Sequence, residues 1–153
     1  MQISFRWTDG NDRDFRCFYR KTEEYYNQLV GGPANREAFV PYNSSVNITG
    51  VLIAYDGSVA VGCAGLKRYS ANNAEVKRVW VEPEYRKHHI ALEMMRLLEK
   101  RAKENQFNRL ILQTRESMTG AVLLYEKLGY CRIQNYPPYG SMDDAVCFAK
   151  DIK

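Results

Sequence analysis

Ala74-Glu75-Val76-Lys77-Arg78-Val79-Trp80-Val81 runs into Glu82-Pro83-Glu84-Tyr85 and then Arg86-Lys87-His88-His89-Ile90-Ala91. The first segment reads as a strand and Pro83 closes it. From Ile90 the period turns helical: Ile90, Met94, Leu97, Leu98 and Ala102 make one apolar stripe to Asn105, with Glu99 and Lys103 paired at i,i+4 outside it. A strand, a short basic turn and a helix start together make a phosphate cradle. Residues 86–91 offer successive N–H groups, the helix dipole favours an anion, and Arg86 and Lys87 add charge. A solvated basic turn is the plainer alternative for this stretch taken alone.

Working outward, Met1 to Trp7 reads as a first strand. Asn11 or Asp12 can cap a helix carrying Phe15, Phe18, Tyr19, Tyr26 and Leu29, which Gly31-Gly32 stops. A shorter helix is expected over Asn35–Tyr42, entered at Pro33. Val51–Tyr55, Asp56-Gly57 and Ser58–Leu66 spell a hairpin, with Gly62 and Gly65 leaving room for a bulge or a close backbone approach. A polar loop, Ser70 to Asn73, leads into Ala74–Val81. Beyond the Ile90–Asn105 helix come a strand over Arg109–Thr114, a helix over Met118–Leu128 ended by Gly129, and strands over Tyr130–Ile133 and Ala145–Asp151. The order β-α-α-β-β-β-α-β-α-β-β predicts one α/β domain over residues 1–153, with a mixed sheet and helices on both faces.

Composition narrows the class. The 153 residues suit one domain, and 45% apolar content with 12% aromatics argues for a packed core. No apolar run approaches the ~20 residues that span a bilayer, and the first residues lack a secretory apolar core, so a cytoplasmic protein without a membrane partner is expected. Cys17, Cys63, Cys131 and Cys147 form no CxxC pair and read as reduced, mostly buried thiols. The two histidines are adjacent and diverge on a helix, so no metal site is expected. A net charge of +4, interspersed along the chain, suits a small polyanion better than a nucleic acid.

Val81-x-Pro83-x-Tyr85-Arg86-x-x-x-Ile90-Ala91 and Leu124-Tyr125-x-x-x-Gly129-Tyr130 resemble the GNAT family of acyl-CoA-dependent N-acetyltransferases. The similarity covers nearly the whole chain. Ala74–Arg78 and Tyr136-Pro137-Pro138-Tyr139-Gly140 look like a bacterial branch of it. The resemblance implies a GNAT-like, mostly antiparallel central sheet and acetyl-CoA as co-substrate. Its diphosphate would lie on Arg86, Lys87, His88, His89, Ile90 and Ala91, and its pantetheine along Val79, Trp80 and Val81. Two departures stand out. Lys87 and His89 occupy positions where the family usually has glycine, which lets the backbone approach the pyrophosphate; His89 is expected to point outward from a helical conformation. Met118 replaces the usual Asn or Gln.

The implied reaction is attack of a neutral amine on a thioester. An alkyl ammonium of pKa ~10.4 leaves on the order of one molecule in a thousand neutral at pH 7, so a base is useful, typically by ~10²–10⁴-fold. Glu75 resembles the family's glutamate base; alternatively it partners Lys77 or Arg78. Tyr125 falls where the family places the tyrosine that protonates the thiolate or donates to its sulfur; alternatively it is a core aromatic. Backbone N–H groups of Val79–Val81 would meet the oxyanion, and Lys77-Arg78 is a candidate bulge. Tyr26, Arg36, Tyr42, Lys77 and Tyr139 are candidates for the acceptor, a small amino-acid-like or polyamine-like primary amine. The alternative is a CoA-binding or regulatory protein of weak or lost activity. A monomer or homodimer is expected.

Overall fold

The computed structural model describes residues 1–29 and 50–153. Its strands are β1 (Ile3–Thr8), β2 (Gly50–Asp56), β3 (Val59–Arg68), β4 (Asn73–Val81), β5 (Arg109–Arg115), β6 (Cys131–Ile133) and β7 (Ala145–Asp151). Its helices are α1 (Arg13–Leu29), α2 (Ile90–Glu104) and α3 (Thr119–Lys127), with a 3-10 turn over Pro83–Tyr85. The sheet order is β1-β2-β3-β4-β5-β7-β6. β4 with β5 is parallel, whereas β1/β2, β2/β3, β5/β7 and β6/β7 are antiparallel. The predicted order is reproduced to within a residue or two at most ends. The helix expected over Asn35–Tyr42 lies outside the described residues.

Two compact units share the chain: Met1–Lys67 with Lys77–Leu98, and Arg68–Val76 with Glu99–Lys153. In the first, Asp12 caps α1, its Oδ1 accepting from the backbone N–H of Asp14 (2.9 Å) and Phe15 (3.1 Å). The buried face of α1 contributes Phe15 and Phe18 to a core with Val51, Ile53, Cys63 and Trp80. The hairpin turns at Gly57 (φ 59°), and its register slips between Ala54 and Tyr55, opposite the stretch that holds Gly62. A Cβ on Gly62 would stand 2.8 Å from the Trp80 carbonyl oxygen, which is backbone and cannot swing aside. The close approach expected there is thus a contact between β3 and β4.

In the second unit, the β4–β5 ladder covers Asn73–Glu75 against Arg109–Ile111. β7 pairs along the full length of β5. Gly129 (φ 92°) ends α3 as expected, and Tyr130 N–H bonds back to the Tyr125 carbonyl at 3.0 Å. Among the cysteines, Cys63 and Cys147 are buried but Cys17 and Cys131 are exposed, so the expectation of mostly buried thiols holds for half of them. Among the described residues no helix is long and apolar enough to cross a membrane.

Gly62→Ala tests the close approach. It is expected to cost about 1–3 kcal/mol of unfolding free energy, as overpacking does; a urea midpoint unchanged from wild type would show that β3 and β4 can separate freely.

Candidate active site

The basic turn belongs wholly to the first unit. Val81 ends β4, and Glu82 N–H bonds the Val61 carbonyl at 2.8 Å, holding the strand end against β3. The 3-10 turn then brings Arg86 back, so that its Nε donates to the Val81 carbonyl at 2.9 Å. The guanidinium carbon lies 4.9 Å from the Trp80 ring centre and 5.9 Å from that of Tyr25, which itself meets Trp80 edge-on at 5.4 Å. This stack fixes an arginine on an exposed turn while its charge stays at the surface. Tyr85 is fixed as well: its hydroxyl donates to Asp56 at 2.8 Å, and the same carboxylate accepts from the N–H of Gln2 at 2.9 Å. Those two bonds, Gln2's first, hold Asp56 below the usual carboxylate range.

Lys87 (φ 65°) and His89 (φ 63°) both adopt the left-handed conformation. The helix starts only at Ile90, so His89 is exposed but not helical, correcting the conformation expected for it. Arg86, just before them, is extended (φ -70°, ψ 159°). At Lys87 and His89 the turn takes up a glycine-like backbone without glycine. Its side chains at Arg86, Lys87, His88 and His89 are exposed, whereas Ile90 is buried and Ala91 half-buried.

A third left-handed residue, Arg78 (φ 56°), interrupts β4 where a bulge was expected. Its guanidinium is buried, bonds Glu23 at 2.7 Å and lies 4.0 Å from the Tyr19 ring centre. A left-handed residue inside a strand re-aims the peptide groups after it, here those of Val79, Trp80 and Val81.

The second unit holds the carboxylate and the phenols. Glu75 is 5% exposed on β4, and its Oε2 accepts a 2.7 Å hydrogen bond from the Tyr136 hydroxyl. Burial, then the Glu75 charge, pushes the Tyr136 phenol far above its ordinary range. Tyr136 meets Tyr69 (5.0 Å) and Tyr139 (5.5 Å) edge-on. Tyr125, 6% exposed, packs between Tyr130 (5.9 Å) and Phe148 (6.1 Å). Met118 precedes α3 and gives it no side-chain cap.

A family model described as the Acetyltransferase (GNAT) family matches residues 7–130. The chain belongs to the GNAT acetyltransferase family. Solved structures agree on the fold. A Klebsiella pneumoniae protein assigned as an acyl-CoA N-acyltransferase is 19% identical, with 99% of this chain and 98% of that one covered and a TM-score of 0.81. A Streptococcus agalactiae acetyltransferase is 15% identical, with 99% of each chain covered and a TM-score of 0.74. A Salmonella typhimurium protein assigned as an acetyltransferase, solved with its cofactor acetyl-CoA, is 16% identical, with 100% and 95% covered and a TM-score of 0.66. No curated protein matches the chain.

Acetyl-CoA is the cofactor bound in the Salmonella typhimurium neighbour, and the turn of this chain has features that suit the anionic end of such a molecule: two left-handed residues, an anchored arginine and exposed basic neighbours. The first unit brings together Val79, Trp80, Val81 and the turn, with Tyr26 half-buried beside Tyr25 at 5.7 Å and Lys77 half-buried. In the second unit Glu75 lies with Tyr136, and Tyr139, 1% exposed, packs behind Tyr136. Arg36 and Tyr42 lie outside the described residues. Sequence reasoning had marked the Tyr136–Gly140 loop but not the bond to Glu75, and it missed Tyr25 and Trp80 as the platform for Arg86. An aromatic two residues after the left-handed Arg78 carried no signal that could have revealed that platform.

A non-glycine residue in the left-handed region costs roughly 1–2 kcal/mol, more than the roughly 0.5–1 kcal/mol of extra unfolded-state freedom that glycine brings. The double variant Lys87→Gly/His89→Gly is therefore expected to be about 1 kcal/mol more stable than wild type in urea denaturation. A net loss would mean that the two side chains contribute contacts that outweigh the strain.

Proposed function

We infer that this GNAT acetyltransferase moves an acetyl group from acetyl-CoA to a primary amine of a small molecule by direct attack in a ternary complex. The observation that carries the reading is the glycine-like backbone at Lys87 and His89, beside an Arg86 already fixed by Val81 and Trp80. It supports a working diphosphate site where the residue types alone pointed to a weakened one.

In this reading the diphosphate is held by the N–H groups of residues 86–91 and by the charges of Arg86 and Lys87. The amides of Val79–Val81 pair with pantetheine and meet the oxyanion as the tetrahedral intermediate forms. Glu75 takes a proton from the acceptor's ammonium, directly or through a water, so that the neutral amine can attack the thioester carbonyl. Tyr125 gives a proton or a hydrogen bond to the departing sulfur, whose thiol resembles a cysteine of pKa ~8.5. Tyr26, Lys77, Arg36, Tyr42 and Tyr139 are the acceptor candidates, and Arg36 with Lys77 suits an acceptor that carries a carboxylate.

The test is thiol release from acetyl-CoA over a panel of amino acids and polyamines, with calorimetric titration of acetyl-CoA alongside. Turnover of at least one primary amine is expected; acetyl-CoA binding with no turnover of any amine would refute the reading. Arg86→Ala should weaken acetyl-CoA binding by about tenfold or more, the worth of a charge-assisted hydrogen bond, with kcat changed much less. Tyr125→Phe should do the reverse, lowering kcat on the order of 10²-fold at unchanged acetyl-CoA affinity. An unaltered kcat would remove Tyr125 from the chemistry.

A further inference from the structure

The geometry points to Tyr136 as a positioning residue for Glu75: a fixed phenol donor that aims the buried carboxylate. The inference rests on the proposed role of Glu75 as base.

Three observations in the second unit support it. The Tyr136 hydroxyl donates to Glu75 Oε2 at 2.7 Å, across 61 residues of sequence. The phenol is held from several sides. Tyr69 packs edge-on against its ring and donates to the Pro137 carbonyl at 2.6 Å. Tyr139 packs against it at 5.5 Å, and Asn135 Nδ2 ties the loop by donating to the carbonyls of Tyr139 (3.3 Å) and Ala145 (3.0 Å). Glu75 itself is 5% exposed, and a buried carboxylate favours its neutral form unless donors compensate.

A relay through Tyr136 would require it to ionise beside Glu75, and burial together with that negative charge opposes this strongly. The phenol therefore remains a donor throughout. Titratable groups that face Glu75 from other elements act in the same sense. Tyr69, after β3, and Cys147, on β7, are both pushed up, by burial first and by the Glu75 charge further down the order. They stay neutral beside it.

A hydrogen bond donated to a carboxylate favours its charged form. Removing it raises the pH at which the carboxylate becomes protonated, and the acid limb of kcat/KM must move up with it. The experiment compares wild type, Tyr136→Phe, Tyr69→Phe and Glu75→Gln. It measures kcat/KM against pH for the best amine of the panel, and the protonation midpoint of Glu75 by carbon-13 NMR of carboxyl-labelled glutamate. Expected are a loss of ~10²-fold or more in Glu75→Gln and an upward move of about one pH unit in both the acid limb and the Glu75 midpoint in Tyr136→Phe. Acetyl-CoA affinity should not change. Tyr69→Phe, which removes the bond to the Pro137 carbonyl but leaves the Tyr136–Glu75 bond in place, should give a smaller move in the same direction and serves if Tyr136→Phe does not fold. Glu75→Gln inactive with both midpoints unmoved in the tyrosine variants would overturn the role of Tyr136 and leave Glu75 as base. Glu75→Gln fully active would overturn both, and a Glu75 midpoint still moved by Tyr136→Phe would then show that the bond is structural only.

Discussion

The contact between Gly62 and the carbonyl of Trp80 is the constraint from which the first unit is built. Because residue 62 has no side chain, β4 can lie against β3 closely enough for Val61 to receive the N–H of Glu82. That bond fixes the end of the strand, and the Val81 carbonyl then stands where Arg86 can reach it. Trp80 faces the α1 core and offers its ring to the arginine. The order of dependence runs from an absent methyl group to the placement of a charge.

Much of this could be read in the chain. Local signals sufficed for the hairpin at Asp56-Gly57, for the end of α3 at Gly129 and for the bounds of β7, since each depends on residues close in sequence. The stripe on α2 was legible too, although Met95 is buried where only Met94 was expected. What escaped was long-range or conformational. The bond from Tyr136 to Glu75 joins residues 61 apart, and no periodicity marks it. The left-handed backbone at Lys87 and His89 was hidden because non-glycine residues seldom adopt that conformation. In both cases tertiary structure overrides a local preference.

The two units hold their charges in different settings. In the first, positive charge is spread on an exposed turn, where water screens it and an incoming anion can still use it. Arg78 is the exception: it is buried with Glu23 and the Tyr19 ring, so β4 and α1 are locked together by a pair whose separation would strand a charge. In the second, the Glu75 carboxylate is withdrawn from water and bonded by the Tyr136 phenol, a setting in which one hydrogen bond counts for more than it would at the surface.

The carboxylate of Asp56 serves two masters, the backbone of Gln2 at the start of β1 and the hydroxyl of Tyr85 just ahead of the basic turn. Gln2 is thereby one side chain removed from the basic turn. A disturbance at the foot of β1, the outermost strand of the sheet, is therefore passed to that turn through one carboxylate.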